Sequence, residues 1–424
     1  MQGGSIGRWR GNPRRWGNLC EGCQSRATLP NHAQHLRFTA PRWRVVLILA
    51  LYGQQGLVAG FAATALPNHL AAQGASTAEI GAYLAMVGLP WVAQPLWGPV
   101  ADYFPRRHSL LAGQAVALGA LLLLVLLEPR SLVGLGVLFL LHGLAASLMD
   151  TAMDGLIMDV VPRDAFGTAT ACTRIGFAGG VASGAAVFAN LISWLGIAGA
   201  AMILLGCCAL LALAPLLLAR SRVIHASRSL PLLMQALGRA LLERRTLILV
   251  GFCIAQDLAG ALYRVPLGVS LLQGESAWSA EALSALQGTL TLAAGTAGAL
   301  VVGWWTDRAG PERTLKLLLT AAAVSHFAAA VLGPGPAAMA LSGVTSALSF
   351  VALAPAVMMA SRGPIAATRF TLYMAALNLG DVAGAALAAP IVAIVGLTGC
   401  ALLSCLILAG LAAVTPAMLR LGNE

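Results

Sequence analysis

Long runs of apolar residues follow one another along the chain, separated by short polar breaks. Each run approaches or exceeds the ~20 residues that an α-helix needs to cross the hydrocarbon core of a bilayer. The breaks carry turn-forming or charged residues, as at Glu128-Pro129-Arg130 and Gly333-Pro334-Gly335-Pro336. The pattern predicts twelve membrane spans, numbered here in chain order: 45–67, 79–101, 109–128, 132–161, 168–194, 196–219, 246–271, 281–305, 314–333, 337–360, 367–393 and 397–419.

The composition supports a surface that faces lipid. Of the 424 residues 58% are apolar and 10% are charged, whereas about 25% of the residues of a soluble domain are charged. The formal net charge of +10 would also suit a nucleic-acid-binding protein. The basic residues, however, form short clusters between the apolar runs, which is typical of membrane-protein loops. We therefore expect the lipid bilayer as a partner, and no nucleic acid.

The distribution of basic residues predicts the orientation. If the N-terminus lies inside, 23 of the 26 lysine and arginine residues fall in inside segments. Of the other three, Arg130, Arg174 and Arg264, only Arg130 lies in an outside loop. Cytoplasmic loops are enriched in such residues, so both termini are predicted to be cytoplasmic. Lys316 is the only lysine in an arginine-rich chain. This bias is typical of a GC-rich genome and favours a bacterial source, so we expect the protein in a bacterial inner membrane.

The longest interior break divides the chain near its middle. Residues 220–245 are basic and partly amphipathic, and we predict a cytoplasmic linker there. The predicted organisation is then a basic tail over 1–44, a six-helix bundle over 45–219, the linker, and a second six-helix bundle over 246–424.

The tail contains four residues that could bind a metal. Cys20, Cys23, His32 and His35 are the ligand types of a zinc site, but the gap between Cys23 and His32 is short and no core-forming residues surround it. A disordered tail without metal is the prediction. It lacks the apolar region of a signal peptide. The other six cysteines lie in apolar runs and are predicted to act as small hydrophobic residues.

Two loop motifs indicate that the halves are related. Gly98 and Asp102 follow span 2, and Gly303 and Asp307 follow span 8, about 205 residues later. In each motif a glycine is followed after three residues by an aspartate and then by a turn with arginine. Paired six-helix repeats are typical of alternating-access transporters, whose substrate site lies between the halves near the membrane midplane.

Both motifs resemble the conserved cytoplasmic loop of the major facilitator superfamily. The first departs from the family pattern at Tyr103 and Pro105, whereas the second keeps Asp307, Arg308 and Gly310. The resemblance implies an all-α integral membrane fold of twelve helices in two six-helix bundles. It also implies a gating role for the charged residues at this face: Asp102, Arg106, Arg107, Asp159, Asp307 and Arg308.

A narrower resemblance concerns spans 4, 5 and 7. The segments SLMDTAMDGLIMDVVP, TRIGFAGG and AQDLAGALYRVPL are similar to those of the muropeptide permeases (AmpG) and the RhtX/FptX siderophore importers. Asp150, Asp154, Arg174 and Asp257 fall on matching positions. The chain departs from that pattern at Gln94, where lysine is common, and lacks a lysine just before Asp257. The resemblance implies import of an anhydromuropeptide or a siderophore.

Ionisable residues inside the spans are the candidates for ion coupling, because each costs of order 2–3 kcal/mol or more in a membrane. Asp150 and Asp154 are four residues apart and share a helix face. Asp154 and Arg174 each lie ~10 Å from the cytoplasmic end of their spans, so we expect an ion pair. Asp150 lies one turn deeper without an evident cation, and desolvation favours the protonated form of such a carboxylate.

We therefore predict Asp150, together with Asp257 near the middle of span 7, as proton-coupling residues. The alternative for Asp150 is a hydrogen-bonded helix contact. On the outer side, Arg264 and Asp381 are predicted to form a second ion pair, which could be a structural clamp.

Spans 1 and 7 usually line the cavity in the superfamily. The resemblance thus implies a group of polar residues that bind the solute, although interhelical hydrogen bonds are the alternative role for the glutamines. The candidates are Tyr52, Gln54, Gln55, Gln256, Tyr263, Tyr373 and Asn378.

The sequence thus predicts a monomeric, proton-coupled importer of a bulky polar small molecule, without a cofactor. An exporter of drugs or metabolites is the first alternative. A non-transporting assembly or signalling protein is the second, although such proteins should lose midplane charges such as Asp150 and Asp257. No metal cluster or nucleophile–base pair is visible, so an enzyme is not expected.

Overall fold

The computed structural model describes residues 42–129, 131–160, 166–214, 230–273, 278–360 and 366–420. The tail residues Cys20, Cys23, His32 and His35 lie outside these ranges. The first helix begins at Arg42, three residues before the predicted start of span 1.

The described residues form twelve membrane spans, as predicted. Nine helices in these ranges are long and apolar enough to cross a membrane. Two of these nine each contain two spans, and one further span consists of two shorter helices, Thr77–Val92 and Gln94–Tyr103. The spans occupy residues 42–72, 77–103, Arg106–Leu127, Leu132–Val160, 166–195, 197–211, Arg244–Gln273, 280–309, Pro311–Leu332, Pro336–Ala360, 366–395 and 397–420.

Sharp turns at two glycines separate span 5 from span 6 and span 11 from span 12. Gly196 has φ 72° and Gly396 has φ 69°, values that L-residues with a Cβ rarely adopt. The two glycines hold equivalent places, each between the fifth and sixth spans of its bundle. The turn lets the chain reverse direction without a loop in both halves.

A second repeated feature is the close packing of span 1 on span 5 and of span 7 on span 11. A Cβ at Gly180 or Gly184 would collide with the backbone of span 1, and a Cβ at Gly380 or Gly384 would collide with span 7. Each pair precedes the turn glycine of its own bundle by the same number of residues. Small residues permit such approach between membrane helices, where van der Waals packing drives association.

The two bundles meet mainly through two pairs of spans. Span 2 packs on span 11, and span 5 packs on span 8. Each bundle also has a core of its own: Phe61, Tyr83, Phe139 and Phe188 form the aromatic centre of the N-terminal one. The space between the bundles is bordered by spans 1, 2 and 5 on one side and by spans 7, 8, 10 and 11 on the other, since these spans make the contacts between the bundles.

A short helix, Leu230–Leu242, precedes span 7. It lies within the segment predicted as a linker, and it packs against the start of span 7 and the end of span 2. We call this end of the molecule, where residues 103–106 and Gly310 also lie, the motif end.

Candidate functional site

A group of carboxylates lies between the spans of the N-terminal bundle. Tyr52 of span 1 donates a hydrogen bond to Asp154 of span 4. Gln94 Nε2 of span 2 donates to Asp150 Oδ2 at 2.8 Å. Asp150 and Asp154 are one helical turn apart and close enough to interact electrostatically. Three spans thus position two carboxylates, each held by a neutral donor.

Arg174 does not form the ion pair with Asp154 that the sequence analysis predicts. Its guanidinium instead lies over the ring of Phe350, 4.9 Å from the ring centroid, and Phe350 belongs to span 10 of the opposite bundle. Asp154 accepts the Tyr52 hydroxyl instead. Both Asp154 and Arg174 are exposed, although helices surround them, so they border the space between the bundles.

The C-terminal bundle holds a different arrangement of charges. Arg264 of span 7 and Asp381 of span 11 form an ion pair, and about half of each side chain is exposed, 46% and 48% respectively. Asp257 lies two turns from Arg264 on span 7 and interacts electrostatically with both members of the pair. An exposed pair of this kind contributes little to stability. Its two opposite charges lie close together beside the interbundle space.

The candidate glutamines divide into two classes. Gln54 Oε1 accepts a hydrogen bond from Gln114 Nε2 of span 3 at 2.8 Å, so it joins two helices rather than facing a solute. Gln55 Nε2 and both amide atoms of Gln256 are buried and form no hydrogen bond of normal geometry. An unpartnered buried amide is costly, which makes Gln55 and Gln256 the glutamines with capacity for a ligand.

The remaining candidates lie mostly inside the C-terminal bundle. Tyr263 and Tyr373 are each 1% exposed, and the Tyr263 ring packs edge-on against His326, 5.3 Å between centroids. They therefore belong to the core of the bundle, where the buried Tyr263 hydroxyl, like the Gln256 amide, forms no hydrogen bond of normal geometry. Asn378 is partly exposed and precedes Asp381 by one helical turn.

Most of the predicted gating residues have side chains outside the described part of the molecule, namely Asp102, Arg106, Asp159 and Asp307. Arg107 is engaged with a partner. The Arg308 guanidinium stacks on the Trp304 ring, 4.0 Å from its centroid, and donates to the Trp304 carbonyl at 3.3 Å. This contact fixes Arg308 on its own helix at the motif end.

Polar contacts close the opposite end of the interbundle space, which we call the sealed end. Asn68 Nδ2 of span 1 lies 2.8 Å from Ser284 Oγ and 2.7 Å from Gln287 Oε1 of span 8, and donates to both. Gln273 Nε2 of span 7 donates to the carbonyls of Ala71 and Ala75 at 2.6 and 2.9 Å. Two amide side chains, one from each bundle, therefore tie the bundles together here.

Apolar packing reinforces the sealed end. One core cluster combines Ala71 and Ile80 of the N-terminal bundle with Leu267 and Ala385 of the other. The backbone of span 2 also approaches span 11 so closely that a Cβ at Gly81 would collide with the Ala385 carbonyl. Passage through this end requires the bundles to separate.

Comparison with known proteins decides the family. A model of the Major Facilitator Superfamily matches residues 48–385, which is most of the chain. The chain belongs to the Major Facilitator Superfamily. It is accordingly a multi-pass membrane transporter, as the helix count and the paired loop motifs predict, and not an enzyme.

Solved structures of the superfamily share its architecture. The nucleoside transporter NupG superposes with a TM-score of 0.67 at 16% identity, over 89% of this chain and 98% of that one. A POT family transporter in complex with 5-aminolevulinic acid gives 0.70 at 11% identity, over 90% and 97%. The D-xylose-proton symporter gives 0.66 at 13%, over 88% and 95%. At these identities the likeness shows the fold alone.

One relative is similar in sequence as well. The folate-biopterin transporter of Synechocystis sp. is 30% identical over 132 residues, which are 30% of this chain and 26% of the relative. The match thus spans about a quarter of that transporter.

Sequence reasoning does not identify several polar residues of this superfamily member. Gln114, Asn68, Gln273 and Gln287 all join helices. The sequence does mark them as candidates for contacts between helices, because each is an amide side chain in or at the end of an apolar run. Among the described residues, no group of three or more His, Cys, Asp or Glu could hold a metal.

Proposed function

We propose that the chain is a proton-coupled transporter that imports a bulky polar solute through the space between its bundles. The observation that carries the proposal is the surroundings of Asp150. This carboxylate receives one neutral hydrogen bond, from Gln94, and within the described residues no cation forms an ion pair with it. Carboxylates inside membrane spans that form no ion pair often serve as proton relays.

Alternating access supplies the rest of the proposed mechanism. A solute and a proton occupy the space beside Asp150, and rocking of the bundles then exposes that space to the other side of the membrane. The contacts of Asn68 and Gln273 break when the sealed end opens. With both termini in the cytoplasm of a bacterium, the sealed end is the periplasmic one, and import begins there.

Three solute classes have support. The family resemblance of spans 4, 5 and 7 favours an anhydromuropeptide or a siderophore, and the name of the Synechocystis sp. relative adds a folate or pterin. All three are larger than a sugar and rich in hydrogen-bonding groups. Gln55 and Gln256, which contribute unpartnered buried amides, are the proposed ligands for those groups.

The test uses the purified protein in proteoliposomes. We expect an imposed inward proton gradient to drive accumulation of at least one of three radiolabelled solutes: folate, an anhydromuropeptide or a ferric siderophore. Asp150→Asn should abolish accumulation but retain exchange of the solute down its own gradient, because the site can still bind and the bundles can still rock.

Glu128→Gln is the matched control, since Glu128 is an exposed carboxylate at a helix end. It should behave as the unsubstituted protein does. Accumulation against a gradient by Asp150→Asn would contradict the assignment of the proton site.

A further inference from the structure

Arg174 is a cation without an anionic partner among the described residues, and it lies in the middle of the molecule. Its side chain is exposed to the interbundle space, its guanidinium rests on the Phe350 ring, and the described residues offer no hydrogen bond to its five N–H donors. Arginine is always charged and presents these donors in a planar fork that matches a carboxylate. A fork left open in this way has unused binding capacity.

The carboxylates nearest to Arg174 do not use that capacity. Asp154 and Asp150 of span 4 act on Arg174 only through their longer-range field. Asp154 accepts the hydroxyl of Tyr52, and Asp150 accepts the amide of Gln94. Span 10, which supplies Phe350 on the opposite side, has no ionisable residue.

Arg264 provides a comparison within the same molecule, because its guanidinium is paired with a carboxylate. Its side chain is 46% exposed, and Asp381 of the adjacent span is paired with it. The two arginines thus share exposure to the interbundle space and differ in pairing. This difference distinguishes a structural cation from one that is available to a ligand.

We propose that Arg174 binds a carboxylate group of the transported solute, with Phe350 as the platform that holds the guanidinium in place. The inference rests on the proposed function and narrows it, because it requires the solute to be an anion or zwitterion. Carboxylate–guanidinium pairs are often bidentate, so the contact fixes the orientation of the solute as well as its charge. Arg174 and Phe350 belong to opposite bundles, so the proposed site lies where the bundles meet.

Chemical modification of arginine tests the proposal without any transport. The unsubstituted protein in proteoliposomes is treated with phenylglyoxal, and the modification of each arginine is followed by peptide mass spectrometry. We expect Arg174 to react several-fold faster than Arg264. Glutarate should slow the reaction at Arg174 and leave Arg264 unaffected, whereas glutaramide, its uncharged analogue, should protect neither.

A thermal shift measurement provides the second test. Glutarate should raise the Tm of the unsubstituted protein and should raise that of Arg174→Lys less, because lysine keeps the charge but not the planar fork. It should not raise the Tm of Arg174→Gln. Equal reaction rates for both arginines, equal protection by glutaramide, or a glutarate shift that persists in Arg174→Gln would each overturn the proposal. None of these measurements depends on a proton gradient, so failure here is separate from failure of proton-coupled import.

Discussion

The two bundles share one packing scheme but differ in their charges. Glycines recur at equivalent positions, as Gly180 and Gly380, Gly184 and Gly384, and the turn residues Gly196 and Gly396. Apart from the loop-motif aspartates Asp102 and Asp307, the ionisable residues do not recur. The same correspondence places Met374 opposite Arg174 and Val181 opposite Asp381, and span 10 has no counterpart of Asp150 or Asp154.

The recurring glycines are needed for helix packing in both bundles, whereas the ionisable residues that differ belong to the proposed function. A backbone that approaches another helix closely requires glycine in both halves, because any Cβ would collide. An ionisable residue inside a membrane span is costly, and such residues usually mark a functional site. The N-terminal bundle therefore carries the proposed proton site at Asp150 and the open guanidinium of Arg174. In the C-terminal bundle Arg264 and Asp381 pair with each other, and Asp257 lies near that pair.

The first prediction tests the glycine packing that the two bundles share, and it has the largest expected effect on stability. Gly180→Leu and Gly380→Leu should each destabilise the protein by more than the ~1–3 kcal/mol typical of overpacking, because the obstacle is backbone rather than a movable side chain. Folded yield on size-exclusion chromatography and Tm in detergent are the measurements. Gly410→Leu is the control, since nothing lies within 4 Å of a Cβ placed at that position.

The two glycine variants should fail together, because the same kind of backbone contact is blocked in each bundle. If only one of them failed to fold, the packing of the two bundles would not be equivalent, and the recurring glycines would have to be explained separately in each half.

The second prediction concerns the place where the bundles meet. Asn68→Ala removes two hydrogen bonds between spans 1 and 8, each worth about 0.5–1.5 kcal/mol net. The sealed end should open more often, by about 5–150-fold for a shift of 1–3 kcal/mol. We expect faster labelling of Asn378→Cys by a membrane-impermeant maleimide from the sealed side, in a background without the native cysteines.

Asn190→Ala is the matched control for this effect. Asn190 donates to the Ala186 carbonyl of its own helix and not across the bundles, so its loss should leave the labelling rate unchanged. A similar acceleration in both variants would show that general loosening, and not the seal, controls access.

The third prediction sharpens the contrast between the two sets of charges. Asp381→Asn removes the partner of Arg264 and should cost about 1 kcal/mol or less, because the pair is half exposed. Asp154→Asn should cost less still, since an asparagine oxygen can accept the Tyr52 hydroxyl in place of the carboxylate. The Tm of both variants in detergent provides the comparison, and a larger loss for Asp154→Asn would restore the Asp154–Arg174 pair as a structural element.

The membrane spans can be predicted from the sequence, whereas the contacts of single polar side chains cannot. Apolar runs of about 20 residues predict spans because lipid leaves a chain few alternatives, and the described residues form twelve. The Asp154–Arg174 pair follows from depth alone, and depth fixes the height of a side chain in the membrane but not its direction around the helix axis. The contacts of Asn68 with span 8 cannot be predicted in this way. An amide in an apolar run gives the same sequence pattern whether its side chain faces another helix or a cavity.

The last prediction has the smallest expected effect on stability and concerns two equivalent glutamines. Gly180 packs on the Gly53 backbone and its counterpart Gly380 packs on Ile254; Gln55 and Gln256 each lie two positions further along. Both are buried, 7% and 4% exposed, and Gln55 Nε2 and both amide atoms of Gln256 form no hydrogen bond of normal geometry. Gln55→Leu and Gln256→Leu should therefore leave Tm unchanged or raise it slightly, because each replaces an unsatisfied polar group by an apolar one of similar size.

Gln54→Leu is the control on the neighbouring position. It leaves Gln114 buried without its partner and should cost about 1–3 kcal/mol. Under the proposal that these amides bind the solute, both counterpart variants should weaken uptake of the accumulated solute while the protein stays folded. A clear loss of Tm in Gln256→Leu would instead mean that this amide is a structural contact, and the site would then be confined to the N-terminal bundle.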